Sequence, residues 1–154
     1  MITTQMLTEA LERQLAGTPH FLVHAEVRPS GKAIVEVDND KAITLSDLSA
    51  INESLRNAFG DALDDLELEV GSPGMGRPFR VPRQYRKHIG RIVEVLTTDG
   101  RTTLGRLVAY TEDGLTVQRQ VPSKIKGRAP KLEEETTAIP FAVIKSTQAH
   151  VNIN

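Results

Sequence analysis

Between Gly71 and Val93 the chain reads GSPGMGRPFRVPRQYRKHIGRIV, which places Arg77, Arg80, Arg83, Arg86, Lys87 and Arg91 together with one histidine and no carboxylate. The nearest acids are Glu69 and Glu94. Guanidinium groups stay charged at neutral pH and grip phosphate oxygens as two-pronged forks. Arginines three residues apart in a Pro-interrupted segment project in several directions, which suits tracking a phosphate backbone better than reading base edges. A second cluster, Lys124, Lys126, Arg128 and Lys131, lies in the long connection from Val121 to Glu135, just before Glu133, Glu134 and Glu135. A loop of that length in a small β-rich unit suggests function or adaptability. Plainer readings exist for both. The first strip could dock onto acidic residues earlier in the chain, and the second could be a solvated hairpin extension neutralised by its own glutamates.

Other chemistry finds less support. Gly71, Gly74 and Gly76 miss the G-x-G-x-x-G spacing of a dinucleotide loop, and no Walker-type loop is present. Ser72 has no nucleophile-elbow context, which leaves a hydrolase centred on Ser72 and His88 as a distant third reading. His20 and His24 would share a strand face, yet four residues at about 3.3 Å each put them roughly 13 Å apart, too far for joint metal ligation. Asp61, Asp64 and Asp65 read as a solvated loop before a strand rather than a cation site. With no cysteine, disulfides, thiolate zinc sites and cysteine nucleophiles are excluded. The expectation is no enzyme, no metal, no cofactor and no small-molecule substrate.

The elements that must carry the basic strip follow from periodicity. Leu7, Ala10, Leu11 and Leu15 recur at helical spacing within 4–16, and Gly17 offers a stop. Phe21, Val23, Ala25 and Val27 alternate with polar residues as in a half-buried strand; Pro29-Ser30-Gly31 turns the chain, and Ala33, Val35 and Val37 continue the alternation as a hairpin. Thr44 and Asp47 have the spacing of a helix cap, Ile43 and Leu48 that of a hydrophobic staple, and Leu48, Ile51, Leu55, Ala58 and Phe59 form one stripe ending before Gly60. Leu66, Leu68 and Val70 alternate with Glu67 and Glu69. The order is αββαβ, with both helices on one face of a small sheet. Residues 72–90, rich in Pro and Gly, read as a basic linker. Beyond it five short strands are expected, 92–96, 102–109, 115–119, 136–141 and 144–151, with Asp99-Gly100 and Asp113-Gly114 as hairpin turns. The predicted fold class is α+β: an acidic N-terminal domain over 1–71, the linker, and a small SH3-like or Sm-like barrel over 91–154.

Charge divides along the same line. Residues 1–70 carry 5 Lys+Arg against 13 Asp+Glu, a net of −8, whereas residues 71–154 carry 14 against 7, a net of +7. Opposite signs suggest different partners, a polyanion for the basic half and a basic protein for the acidic half. The chain has no Trp, 2 Tyr and 4 Phe, so base-stacking platforms are scarce and nucleic-acid contact should be electrostatic. The N-terminal MITTQMLTEALERQL lacks a basic stretch followed by an apolar run, and no segment approaches a membrane span, so a cytoplasmic protein without a membrane partner is expected.

The run Ser72-Pro73-Gly74-Met75-Gly76-Arg77-Pro78, following the acidic strand, resembles the signature of the RimP family of ribosome maturation factors. The order of elements agrees with that family across essentially the whole chain. Gly71 and Gly76 depart from it, standing where Ser and Asp are usual, so contacts of those side chains do not carry over; Arg77 and Pro78 match. The resemblance implies a KH-like or half-ferredoxin domain followed by an SH3-like barrel. It also implies non-catalytic binding to the free small (30S) ribosomal subunit near the future decoding centre, contact with 16S rRNA and a basic ribosomal protein, and a role in rRNA maturation. A monomer is expected. The alternative is a general Sm-like or KH-like RNA-binding regulator of small RNAs or messages.

Reversing Arg77, Arg80, Arg83 and Arg86 to Glu should weaken RNA binding and flatten its salt dependence, since each phosphate contact contributes about −0.7 to −0.9 to the log–log slope. A filter-binding series across salt concentrations reads this directly; an unchanged slope would move the contact to the 121–135 connection.

Overall fold

A computed structural model describes residues 1–73, 77–121 and 131–150. The chain divides into two compact units, Met1–Gly74 and Met75–Asn154. Both are mixed in structure, and together they are α+β.

The first unit runs α1 (Thr4–Leu15), β1 (His20–Val27), β2 (Lys32–Asn39), α2 (Leu45–Phe59), a 3₁₀ turn (Gly60–Leu63) and β3 (Glu67–Gly71). This is the αββαβ order that periodicity predicts. Thr3 caps α1 by accepting from the Met6 amide, and Leu7, Ala10, Leu11 and Leu15 form its buried face. The hairpin turns at Gly31, whose φ of 93° is a left-handed conformation that side chains disfavour. Thr44 and Asp47 form a reciprocal capping box at the start of α2: the Thr44 hydroxyl accepts from the Asp47 amide while the Asp47 carboxylate accepts from the Thr44 amide. Those bonds hold the Asp47 carboxyl below its ordinary range. Through α2 the chain crosses back, and β3 joins β2 in parallel to give the sheet order β1-β2-β3. Leu7, Leu11, Val35, Val37, Leu55 and Leu63 are buried at its centre, with Ile43 and Leu48 packed at the margin.

The second unit holds α3 (Pro82–Lys87), β4 (Ile92–Thr97), β5 (Thr102–Tyr110), β6 (Gly114–Val121), β7 (Lys131–Leu132), β8 (Thr137–Pro140) and β9 (Ile144–Ala149), with a 3₁₀ turn at Phe141–Val143. Gly100 turns the β4–β5 hairpin at φ 86°. Two expectations need correction. The sheet is not a closed barrel: its order is β7-β6-β5-β4-β9 with β8 also on β6, so among the described residues no ladder joins β8 to β9. In place of such a ladder the Phe141 amide donates to the Asp113 carbonyl and the Val143 carbonyl accepts from the Thr98 amide, while the short connection still draws the two ends together. Five strands from β8 to β9 laid flat would span about 19 Å at the usual strand spacing, but the three-residue turn between these two allows only about 14 Å. The sheet therefore curls, and its ends are tied by chain and by these two bonds rather than by a ladder. The stretch read as a linker, 72–90, contains α3, which belongs to the second unit. Of the expected last strand, Val151 lies outside the described residues, and the two-residue β7 was not foreseen.

Val93, Val95, Leu107, Leu115, Val117 and Ile139 form the second core. No helix among the described residues is long and apolar enough to cross a membrane. A Cβ at Gly114 would sit 2.3 Å from the Ile139 carbonyl oxygen and 2.8 Å from the Pro140 Cα. Gly114→Ala should therefore push β8 off β6 and cost about 1–3 kcal/mol, an overpacking penalty, visible as a lower urea midpoint.

Candidate nucleic-acid interface

A six-residue helix is too short to hold itself together in water, so α3 must be fixed from outside. Pro82 starts it, at the first helical position where a missing N–H costs nothing. Gln84, only 4% exposed, turns its side chain back so that Oε1 accepts the amides of Arg80 and, at 3.1 Å, Val81. Val81 has no polar side chain to reciprocate, so Gln84 alone caps the entry. At the other end the His88 ring nitrogen Nδ1 meets the Gln84 carbonyl at 2.7 Å, and the Gly90 amide donates to Leu107 in β5 at 2.7 Å.

Aromatic rings supply the rest. Tyr85 stacks on Tyr110 with centroids 5.1 Å apart and meets Phe79 and Phe141 edge-on at 5.0 and 5.7 Å. Phe79 lies 4.6 Å from the His88 ring, and its amide donates to Thr147 of β9. Four of the chain's six Phe and Tyr thus meet in one cluster on the second core. Burial pushes the Tyr85 phenol above its ordinary range.

With Gln84 and Tyr85 turned inward, the 100° step of an α-helix puts Arg83, Arg86 and Lys87 on the opposite face. Arg86 is exposed with its guanidinium 5.7 Å above the Tyr110 ring, a cation–π arrangement that spreads the side chain on the surface. Arg77, Arg80 and Arg91 are exposed on either side of the helix, and Pro78 beside Arg77 is exposed as well. Arg77, Arg80, Arg83, Lys87 and His88 each have an interaction within the folded chain. The structure thus gathers the six cations of the first strip around one anchored turn.

The other sequence-predicted positions fare differently. Ser72 is exposed and Pro73 half-buried, while Gly74, Met75 and Gly76 lie outside the described residues. Lys124, Lys126 and Arg128 also lie outside them; Lys131 is exposed on β7. The Glu133 carboxylate pairs with Arg119 at 3.2 Å. His88, named in the hydrolase reading, is engaged in holding α3. His20 and His24 do not share a strand face, since the bulge between Leu22 and His24 sets them opposite Asn39 and Glu36; both are half-buried, His20 beside Asn39 at 3.1 Å and His24 beside Glu26 at 3.1 Å. Among the described residues no three His, Asp or Glu are placed to hold a metal ion. Sequence reasoning missed the aromatic anchor. Its one local signal was the glycine-free stretch from Arg77 to Ile89 with Pro82 where a helix tolerates it.

Fold and charge together define a class: small α+β proteins of two separately cored units, one acidic and one basic, the basic one bearing a helix-borne cationic face. No family model matches the chain. It is 30% identical over 139 residues to the ribosome maturation factor RimP of Porphyromonas gingivalis, spanning 88% of this chain and 91% of that one. It is 32% identical over 142 residues to the RimP of Flavobacterium psychrophilum, with 90% and 92% covered, and 36% identical over 120 residues to that of Chlorobium limicola, with 68% of each covered. The chain belongs to the RimP family of ribosome maturation factors.

Gln84→Ala should leave the Arg80 and Val81 amides without acceptors and loosen α3 at a cost of about 1–3 kcal/mol. Trypsin would then cut after Arg83, Arg86 or Lys87 markedly faster than in the unaltered protein. Equal cleavage rates would show that the aromatic cluster alone holds the helix.

Proposed function

We propose that this protein is a non-catalytic ribosome maturation factor that binds the free small ribosomal subunit and favours one fold of its 16S rRNA during assembly. The observation that carries this reading is the anchored cationic helix: exposed Arg86 and half-buried Arg83 and Lys87 lie on a turn whose other side is pinned by Gln84 and Tyr85. Fixed guanidinium groups lose little conformational freedom when phosphates arrive, so more of the gross attraction appears as affinity. Lys124, Lys126, Arg128 and Lys131 extend the same sign of charge along the sequence. The acidic first unit is suited to a basic ribosomal protein near the decoding centre.

In this reading the two units are the functional domains, the first KH-like or half-ferredoxin in arrangement and the second an open relative of the SH3-like fold. Binding energy directed to one rRNA conformation shifts its population without any bond being made or broken. The protein acts in the cytoplasm as a monomer, with no membrane partner, cofactor or small-molecule substrate.

Gradient sedimentation of a lysate is the test. The protein should travel with free small subunits and be depleted from complete ribosomes, and Arg83→Glu with Arg86→Glu should move it toward the top of the gradient. Migration with small RNAs would favour a general RNA-binding regulator instead, and indifference to subunits at low salt would overturn the proposal.

A further inference from the structure

Sheet edges invite strand addition, and folded proteins usually blunt them. Among the described residues most edges are blunted. β1 carries a bulge between Leu22 and His24, and its Val27 amide donates to the Thr4 hydroxyl of α1 at 2.9 Å. On β9, the Thr147 carbonyl already accepts from Phe79, β7 is two residues long, and β8 is four residues ending in Pro140.

Within the first unit β3 is different. Its five residues pair with β2 in unbroken parallel register, Lys32 opposite Glu67 through Glu36 opposite Gly71. The Glu67 amide donates to the Gly31 carbonyl at 2.8 Å, which fixes the phase of the ladder. In a parallel pair alternate residues face the neighbour, so Glu67, Glu69 and Gly71 bond to β2. The amide and carbonyl groups of Leu68 and Val70 therefore point to the outer edge, one pair about 6.6 Å from the next. Flanking them, Glu67 and Glu69 are exposed, and Glu69 shares its charge with Lys32 at 3.1 Å.

We propose that the outer edge of β3 is a docking site for an extended cationic polypeptide segment, which adds as a fourth strand. Leu68 and Val70 supply four backbone hydrogen-bonding groups, and Glu67 and Glu69 select lysine or arginine at alternate positions of the incoming strand, where directly opposed side chains lie about 4.5–5.5 Å apart. A second copy of this chain is disfavoured, since edge-to-edge pairing of two β3 strands sets carboxylates beside carboxylates. Where the proposed function gives the acidic unit a basic protein partner, this inference rests on it for the kind of partner and adds the place and mode of binding.

The test uses the full chain and a synthetic eight-residue peptide alternating lysine and threonine, with its glutamate–threonine counterpart as control. Amide hydrogen exchange should slow at Leu68 and Val70 in the presence of the lysine peptide and stay unchanged with the glutamate peptide. Val70→Pro removes an edge donor without touching the β2 ladder and should abolish that protection. Glu67→Gln with Glu69→Gln keeps the backbone intact should the proline variant fail to fold, and should weaken binding by roughly three- to thirtyfold. Binding that leaves the Leu68 and Val70 amides unprotected overturns the proposal, as does concentration-dependent self-association that protects them without peptide. If the protein fails to sediment with small subunits but the peptide protects these amides, only the ribosomal reading falls; the converse result removes only strand addition.

Discussion

Cations placed close together push one another apart, and that constraint governs the second unit. Arg83 with Arg86 and Arg83 with Lys87 stand at three- and four-residue helical spacing, where like charges each cost a few tenths of a kcal/mol. A helix of six residues has no reserve to absorb that cost. It exists because Tyr85 and its ring neighbours contribute about 0.5–1.5 kcal/mol per aromatic pair beyond simple burial, and because Gln84 satisfies two amides that would otherwise be orphaned at its entry. The last turn also places Arg86 and Lys87 at the negative end of the helix dipole, which offsets part of the repulsion. Cationic side chains and the groups that anchor the helix thus occupy opposite faces of one turn.

The first unit solves a different problem with carboxylates. Its excess of acids is distributed over a helix cap, a strand and loops, and several of them hold the fold together. Asp47 closes the cap of α2, and Glu69 meets Lys32 across the parallel pair. Parallel strands need a crossover, and α2 provides it while covering the Val35, Val37 and Leu68 side of the sheet. The arrangement leaves β3 as an edge in straight register, protected from self-pairing by its charges rather than by a bulge or a proline.

Family membership and these local features bear on the same molecule at different levels. Relatedness over most of the chain assigns it to the RimP maturation factors. The geometry of α3 explains how a segment with three prolines and four glycines between Gly71 and Gly90 can nevertheless hold its arginines in place.

What the sequence determined by itself was whatever depends on neighbours along the chain. The strands over 20–27 and 32–39, the Thr44–Asp47 cap, the turn at Gly100 and the change of charge sign near residue 70 were legible, because side-chain periodicity and capping act over a few residues; the bulge after Leu22, which puts Phe21 on the opposite face from Ala25 and Val27, was not. Tertiary structure decided the rest. Phe79, Tyr85, Tyr110 and Phe141 are spread over more than sixty positions, and only folding brings their rings together to turn 82–87 from apparent linker into helix. Whether the last strands closed a barrel or left an open curled sheet rested on pairings between β6 and β8 and between β4 and β9, residues far apart in the chain. Such long-range contacts are chosen by how apolar surface packs in three dimensions, a property no local pattern encodes.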